Sequence, residues 1–204
     1  MKIIKYFFIL LPLLAICLCS CSSLKSNLKK LRSPHSEARC EAIYWLHQNV
    51  QNKANKKLII DALTKDESEV VRSLAARLMG IEKNPLYLPL LTSALSDPSA
   101  LVRMEAVQSI GSINRKASLP DIASLLKKEP EVLVRLKALK SINYMGSKQA
   151  IPALIDELED QEPAARFQAL ILLEKFTKAN PGMDKNSWKE WYQKHKSIMS
   201  RTNT

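Results

Sequence analysis

The sequence predicts an all-α fold built from helical hairpins that repeat along the chain. An arginine recurs every 31 to 33 residues, and an alanine follows each arginine by three positions. Prolines in the intervening segments recur at a similar spacing, and each opens an apolar segment of helical period, such as LPLLTSAL. Repeats of this length are typical of stacked arrays, so we expect an α-solenoid of about five hairpins. The arginines are Arg39, Arg72, Arg103, Arg135 and Arg166, the alanines are Ala42, Ala75, Ala106, Ala138 and Ala169, and the prolines are Pro89, Pro120 and Pro152.

The first twenty residues have the pattern of a secretory signal peptide. Two lysines precede a continuous apolar run over residues 6–18, which is short for a membrane span. The run ends in LCSC, which resembles the lipobox of bacterial lipoproteins and implies cleavage before Cys21 and lipidation of its thiol. Cys19 is the competing acceptor. Ser22, which stands where an aspartate would retain the protein in the inner membrane, implies a lipid-anchored protein of the outer membrane, on its periplasmic side.

A basic segment connects the lipidated cysteine to the repeats. Residues 22–32 read SSLKSNLKKLR and contain no acidic residue, so residues 21–32 are predicted to form a tether. Its basic side chains would lie near anionic lipid headgroups, where each contributes about 1 kcal/mol of attraction. They are Lys25, Lys29, Lys30 and Arg32.

The repeat array is predicted to cover residues 33–180. An acidic residue stands six positions before each of the last four arginines, and Ser33 takes this place in the first copy. These side chains are the ones that cap the N-termini of helices. Apolar residues one position before, four after and seven after each arginine form a single helical stripe with the alanine. One hairpin cannot bury such a stripe alone, so neighbouring hairpins must cover it.

A two-helix unit with an acid, an arginine and an alanine at fixed offsets resembles the HEAT repeat, in particular the short bacterial type related to phycobilin lyase repeats. The resemblance implies that the acids and arginines form a hydrogen-bonded ladder between stacked units. A row of arginines that binds a ligand is the alternative interpretation. The ladder residues are Asp66, Arg72, Asp97, Arg103, Glu129, Arg135, Asp160 and Arg166.

The concave face of the array is the candidate surface for a protein partner in the cell envelope. Its positions, two and five residues past each arginine, carry a mixture of charges. The chain has a formal net charge of +11, but residues 33–180 hold 20 basic against 18 acidic residues, so the cationic groove that a DNA-binding solenoid needs is not expected. The candidate residues are Glu41, Tyr44, Arg77, Glu105, Gln108, Lys137, Lys140 and Gln168.

The sequence contains no recognisable catalytic constellation. Its three histidines are scattered and no glycine-rich phosphate loop occurs. The acidic run DELEDQE, residues 156–162, could hold paired general acids, but a solvated surface run is expected, and Cys40 is expected to be a small buried residue. We therefore expect a non-catalytic scaffold without cofactor or metal. The alternatives are a protein that handles a tetrapyrrole in the manner of bilin lyases and, third, a nucleic-acid-binding protein.

Residues 181–204 predict a helix that closes the last repeat. Its aromatic residues fall along one helical face, and the segment resembles the closing helix after other bacterial HEAT arrays. The alternative is a platform on which a ligand stacks, and the same two interpretations apply to an aromatic patch in the first repeat. The C-terminal set is Trp188, Trp191, Tyr192, His195 and Ile198, and the N-terminal set is Tyr44, Trp45 and His47.

Overall fold

The computed structural model describes residues 23–49, 52–113 and 116–201, and the side chains of these ranges up to residue 197. Its regular secondary structure is entirely helical in these ranges, which confirms the all-α prediction. In this part of the chain we find no helix with the length and apolar character that a bilayer span requires. The predicted signal peptide, Cys21 and the side chain of Ile198 lie outside the described residues.

Helices of six to 17 residues follow one another with short connections. Their bounds are α1 Ser36–Asn49, α2 Lys53–Lys65, α3 Glu69–Glu82, α4 Leu88–Ala94, α5 Ala100–Ile113, α6 Leu119–Lys128, α7 Val132–Met145, α8 Ile151–Asp156, α9 Pro163–Thr177 and α10 Lys185–Arg201. Short 3-10 helices are Pro85–Tyr87, Lys116–Ser118, Lys148–Ala150 and Glu157–Glu159.

The chain divides into two compact units, residues 1–75 and 76–204, with the boundary inside α3. In the first unit α1 packs against α2, and both helices contribute fully or nearly fully buried side chains, among them Ile43, Leu46 and Ile59. The predicted tether is helical over residues 23–30. Lys30 donates to the carboxylate of Glu41 at 2.6 Å, so this segment is attached to α1 and is not an extended linker.

The second unit consists of stacked hairpins, the arrangement of an α-solenoid. The pairs α4 with α5, α6 with α7 and α8 with α9 form antiparallel neighbours, and α5, α7 and α9 pack side by side. The closing helix α10 packs against α8. The prolines predicted to open the second helix of each repeat stand in the first turn of α4, α6 and α8, where a missing N–H breaks no helical hydrogen bond.

The predicted alanine column is buried throughout, with all five alanines 0% exposed. In the second unit the small residues let the arginine-bearing helices approach so closely that serine hydroxyls reach the backbone of the preceding helix. Ser109 donates to the carbonyl of Ala76 and Ser141 donates to the carbonyl of Val107, each at 2.9 Å. These bonds link α3 to α5 and α5 to α7 inside the core.

The predicted closing helix is held by a buried tryptophan. Trp188 is 0% exposed, and its indole N–H donates to the carbonyl of Gly182 at 2.8 Å. Trp191 meets Trp188 edge-on at 5.8 Å between ring centroids and stacks on His195 at 4.4 Å. The Trp188 indole is therefore core packing and cannot serve as an exposed stacking platform.

Two expectations about single residues are wrong. The acidic run 156–162 is not uniformly solvated, because the 3-10 helix at its centre turns Glu157 inward and leaves it 7% exposed. Cys40 is a free cysteine that is only partly buried, because its position, one after the arginine, lies at the edge of the apolar stripe. Burial is nevertheless the largest influence that raises the pKa of its thiol.

Candidate functional site

Three of the recurring arginines, Arg39, Arg103 and Arg135, each bind the acid of the next repeat. In the first unit Arg39 donates from Nε and Nη2 to the two carboxylate oxygens of Asp66 at 2.9 and 2.8 Å. Its Nη1 donates to the backbone carbonyls of Ser33 and Pro34 in its own repeat. Hydrogen bonding to Asp66 raises the pKa of Arg39 against the opposing effect of burial.

The second unit contains two further contacts of the same geometry. Arg103 donates to both carboxylate oxygens of Glu129 at 2.7 Å, and Arg135 donates to those of Asp160 at 2.6 and 2.8 Å. Burial alone would raise the pKa of Glu129 and Asp160, but hydrogen bonds from the arginines and from backbone N–H groups outweigh it and lower both pKa values. Each contact is bidentate, which is the geometry that holds a carboxylate most firmly.

The remaining ladder residues bind the turns of their own repeats. Arg72 donates to the carbonyls of Asp66 and Glu67 at 2.9 Å, and Arg166 donates to those of Asp160 and Gln161 at 2.7 and 3.1 Å. The acids also accept the backbone N–H two residues on, as Asp97 does from Ser99, so they fix the turn before each helix instead of standing at its N-cap. All these arginines are engaged with protein groups.

A basic groove of about 480 Å³ lies on α5 and α7 of the second unit. Lys83, Lys137 and Lys140 line it, and none of its lining residues is acidic. We call this set the lysine groove. Its lining residues are Lys83, Gln108, Gly111, Ser112, Lys137, Lys140, Ser141 and Tyr144.

Two lysines of the lysine groove have defined partners within it, a glutamine and an exposed tyrosine. Lys137 donates to the side-chain oxygen of Gln108, another lining residue, at 2.7 Å. The Nζ of Lys140 lies 5.9 Å from the ring centroid of Tyr144, and Tyr144 is 55% exposed. Three cations beside an accessible ring suit a flat ligand that carries carboxylates.

The structure brings together only part of the predicted concave face. Gln108, Lys137 and Lys140 line the groove, whereas Glu41 pairs with Lys30 and Tyr44 stands 49% exposed in the first unit. Arg77 is exposed, Gln168 is half-buried on α9, and Glu105 has a buried carboxylate oxygen without a hydrogen-bond partner. The N-terminal aromatic patch is also split, because Trp45 is half-buried beside the exposed Tyr44.

The sequence prediction named three of the eight residues that line the lysine groove and missed five, among them Tyr144 and Lys83. Tyr144 stands nine positions past Arg135, one helical turn beyond the Lys140 position, so extending the same helical face by one turn would have found it. Lys83 follows α3 with a φ of 49°, a left-handed conformation that ends the helix. No sequence pattern signals that conformation at a lysine.

The pattern of repeats matches known protein families. A family model described as HEAT repeats matches residues 24–111 and 57–142, which together cover more than half of the chain. The chain belongs to the HEAT-repeat family. A second model, described as PBS lyase HEAT-like repeat, matches residues 134–160 of this HEAT protein. That stretch contains Lys137, Lys140 and Tyr144 of the lysine groove.

Two solved structures share the fold of this HEAT protein. One is a chain in the structure of the complex of CpcE and CpcF of phycocyanin lyase from Nostoc sp. PCC7120. It is similar with a TM-score of 0.60 and 23% sequence identity, and the match covers 84% of this chain and 69% of that chain. Escherichia coli YibA is similar with a TM-score of 0.63 and 22% identity, over 75% of this chain and 59% of that one. No curated protein matches the sequence. At these identities the similarity establishes the fold.

These similarities correct one expectation about this HEAT protein. The sequence contains no catalytic constellation and led to the expectation of a protein that is not an enzyme. The match of residues 134–160 to a PBS lyase HEAT-like repeat contradicts this expectation. The absence of a catalytic triad from the sequence did not exclude an enzyme, because a groove lined by lysines and an aromatic ring on a solenoid has no short sequence motif.

Proposed function

We propose that this HEAT-repeat protein acts in the manner of the phycobilin lyases and binds a linear tetrapyrrole in the lysine groove. The main support for this is that three lysines and the exposed Tyr144 line a groove without a carboxylate. A linear tetrapyrrole is a flat, mostly apolar molecule with two propionate groups. Lysines would pair with the propionates, and the tyrosine ring would cover part of the flat face.

The type of repeat supports this assignment. The lyase-type match over residues 134–160 contributes half of the groove residues, namely Lys137, Lys140, Ser141 and Tyr144. The groove volume of about 480 Å³ is within the usual range of small-molecule sites. Because the groove is open, the ligand would remain accessible to a protein that receives it.

Binding of a tetrapyrrole is tested with biliverdin and the full chain in detergent. We expect an absorbance shift that saturates, and at least about tenfold weaker binding of biliverdin dimethyl ester, because the ester lacks the carboxylates. The double variant Lys137→Gln/Lys140→Gln should lose binding to a similar extent. Lys189→Gln/Lys194→Gln, which removes the same charge from exposed positions of α10, should bind as the wild type does. Equal binding by both double variants would refute the assignment of the site.

Membrane anchoring belongs to the same proposal. The lipobox at residues 18–21 and the basic segment that follows it support a lipoprotein attached through Cys21 to the periplasmic side of the outer membrane. Cys21→Ala should abolish labelling by a fatty-acid analogue and leave the precursor uncleaved. Fractionation of the labelled envelope then distinguishes outer from inner membrane.

A role as a docking platform for an envelope protein is the second candidate. It is favoured by large apolar side chains that stay exposed on the arginine-bearing helices of the second unit. Leu133 on α7 and Phe167 on α9 are each 65% exposed, and Ile171 lies one turn beyond Phe167 at 40%. Crosslinking from position 171 in intact cells should capture a specific neighbour, and the additional substitution Phe167→Ser should remove it.

A further inference from the structure

A second groove of the second unit, about 650 Å³ in volume, lies away from the lysine groove. It is bounded by the end of α6, the start of α7, the 3-10 helix Glu157–Glu159 and the start of α10. Five of its lining residues are acidic and three are basic, so its charge balance is opposite to that of the lysine groove. Its charged residues are Lys127, Glu129, Arg135, Asp156, Glu157, Glu159, Asp160 and Lys185.

Glu157 is the unusual member of this acidic groove. It is only 7% exposed, and its Oε2 atom is buried without a hydrogen-bond partner among the described residues. Burial is the largest cause and a side-chain hydrogen bond with Asp160 is the second, and together they raise the pKa of Glu157 to about 7. An unpaired carboxyl oxygen in such a position is costly, because water no longer solvates it and no donor replaces the water.

Two of the three cations that line the acidic groove are committed to carboxylates other than Glu157. Arg135 uses two nitrogens on Asp160 and its third on backbone carbonyls. Lys185 of α10 lies 3.0 Å from Asp156 and 2.8 Å from Glu159. Of the other lining groups, Glu129 is held by Arg103, and Lys127 is exposed.

We propose that the acidic groove binds an organic cation with N–H donors, a guanidinium or an ammonium group, and that Glu157 is the carboxylate that receives it. Such a group would supply the donor that Oε2 lacks and balance the surplus of carboxylates. This site is separate from the lysine groove, so the proposal goes beyond the tetrapyrrole function and does not depend on it.

The donor chemistry of the groove favours an organic cation over a metal ion. Within the described residues no three His, Cys, Asp or Glu side chains are grouped so that they could hold a metal. Asp156, Glu159 and Asp160 already accept hydrogen bonds or ion pairs from Lys185 and Arg135. One free carboxyl oxygen suits a single N–H donor, as an arginine or lysine of a protein partner or a polyamine would provide.

Calorimetry on the full chain in detergent tests the site with three probes: agmatine, spermidine and the capped peptide acetyl-Gly-Arg-Gly-amide. Because Glu157 is about half protonated at pH 7, a cation that binds the carboxylate should release about half a proton, measured in two buffers of different ionisation heat. We expect saturable binding of at least one probe with this proton release. Tightest binding of the peptide would identify a partner's side chain as the source, and tightest binding of spermidine a polyamine.

Matched variants decide the role of Glu157. Glu157→Gln should abolish the proton release and weaken binding at least about tenfold. Glu159→Gln removes the same charge from the same 3-10 helix, and it should keep the proton release. Unfolding curves of both variants establish that they are folded. Absence of saturable binding by all three probes, or equal affinity and proton release in Glu157→Gln and the wild type, would overturn the proposal.

Discussion

Arg135 and Asp160 stand 25 residues apart in sequence and meet in a bidentate contact, with 2.6 Å between Nε and Oδ2 and 2.8 Å between Nη2 and Oδ1. The side chain of Asp160 is 5% exposed and that of Arg135 is 13% exposed. The same carboxylate accepts the backbone N–H of Glu162 at 2.7 Å, so one acid fixes the turn before α9 and joins it to α7. Removal of either partner would leave a buried charge uncompensated.

Arg135→Ala is therefore expected to lower the free energy of unfolding by about 3–5 kcal/mol, because Asp160 stays buried without its cation. Arg166→Ala is the matched control, since Arg166 makes the same two bonds to backbone carbonyls and should cost only about 1–2 kcal/mol. Urea denaturation of both variants measures the difference. Equal losses would show that the contact between the repeats adds nothing to stability.

The stability of the protein should fall in acid because the pKa values of Glu129 and Asp160 are lowered in the folded state. Their ordinary values are 4.5 and 3.8, so in acid the unfolded chain binds protons that the folded chain does not. The stabilisation is complete above about pH 5 and is lost as the pH falls through the folded pKa values. Urea midpoints between pH 7 and pH 3 measure this slope.

The double variant Glu129→Gln/Asp160→Asn tests the origin of the acid slope. It should be less stable than the wild type at pH 7, and its stability should change less between pH 5 and pH 3. Glu131→Gln, at an exposed position in the same turn, should retain the wild-type slope. If the double variant keeps that slope too, other carboxylates cause the acid sensitivity.

Glu157 is expected to change the stability with pH in the opposite direction to Glu129 and Asp160. Its folded pKa of about 7 lies above its ordinary value of 4.5, so the folded state holds a proton that the unfolded state releases. This contribution to stability is present below pH 4.5 and is lost as the pH rises to about 7. Glu157→Gln should therefore gain stability relative to the wild type between pH 5 and pH 8, by on the order of 3 kcal/mol. Parallel profiles of the two proteins would contradict the raised pKa.

The sequence predicts the contacts that recur in every repeat, but it does not predict features that occur in one repeat only. The column of alanines, the acids and the arginines serve the same contact in each unit, so their spacing alone indicates the fold and the burial of Ala106 or Ala138. Glu157 and Lys83 break the pattern at one place each. Their environment depends on a 3-10 turn and a left-handed residue, and neither has a periodic signal.

Trp188→Ala is expected to detach the closing helix. The indole is fully buried and its N–H is bonded to Gly182, so truncation should cost about 3–5 kcal/mol. Trp191→Ala is the control, because that ring is only partly buried and should cost less. Hydrogen exchange should show faster exchange of α10 amides in Trp188→Ala. Unchanged protection of α10 would mean that the helix is held by other contacts, such as those of Lys185.

Replacement of either helical glycine by alanine should destabilise the second unit, although alanine favours a helix by about 1 kcal/mol over glycine. A Cβ at Gly80 would lie 2.6 Å from the Cβ and 2.8 Å from the Cα of Ser109, and one at Gly111 would lie 2.7 and 3.0 Å from the same atoms of Ser141. Overpacking of this kind costs about 1–3 kcal/mol, so Gly80→Ala and Gly111→Ala should both lower the thermal midpoint.

Compensating substitutions separate side-chain from backbone crowding at the two glycines. Ser141→Gly removes the Cβ and Oγ, the two nearest atoms that a methyl group at position 111 would meet, and the third nearest, the Cα of residue 141, lies at 3.0 Å. Gly111→Ala/Ser141→Gly should therefore recover part of the loss, although the hydrogen bond from Ser141 to Val107 is removed as well. Gly80→Ala/Ser109→Gly should recover less, because the Ser109 Cα at 2.8 Å requires the helices to shift.

Gly111 and Ser141 also line the lysine groove, so Gly111→Ala should weaken biliverdin binding while Gly80→Ala leaves it closer to the wild-type value. Thermal unfolding and absorbance titration of the four variants measure both effects, and full recovery at position 80 with none at 111 would reverse the assignment of the crowding.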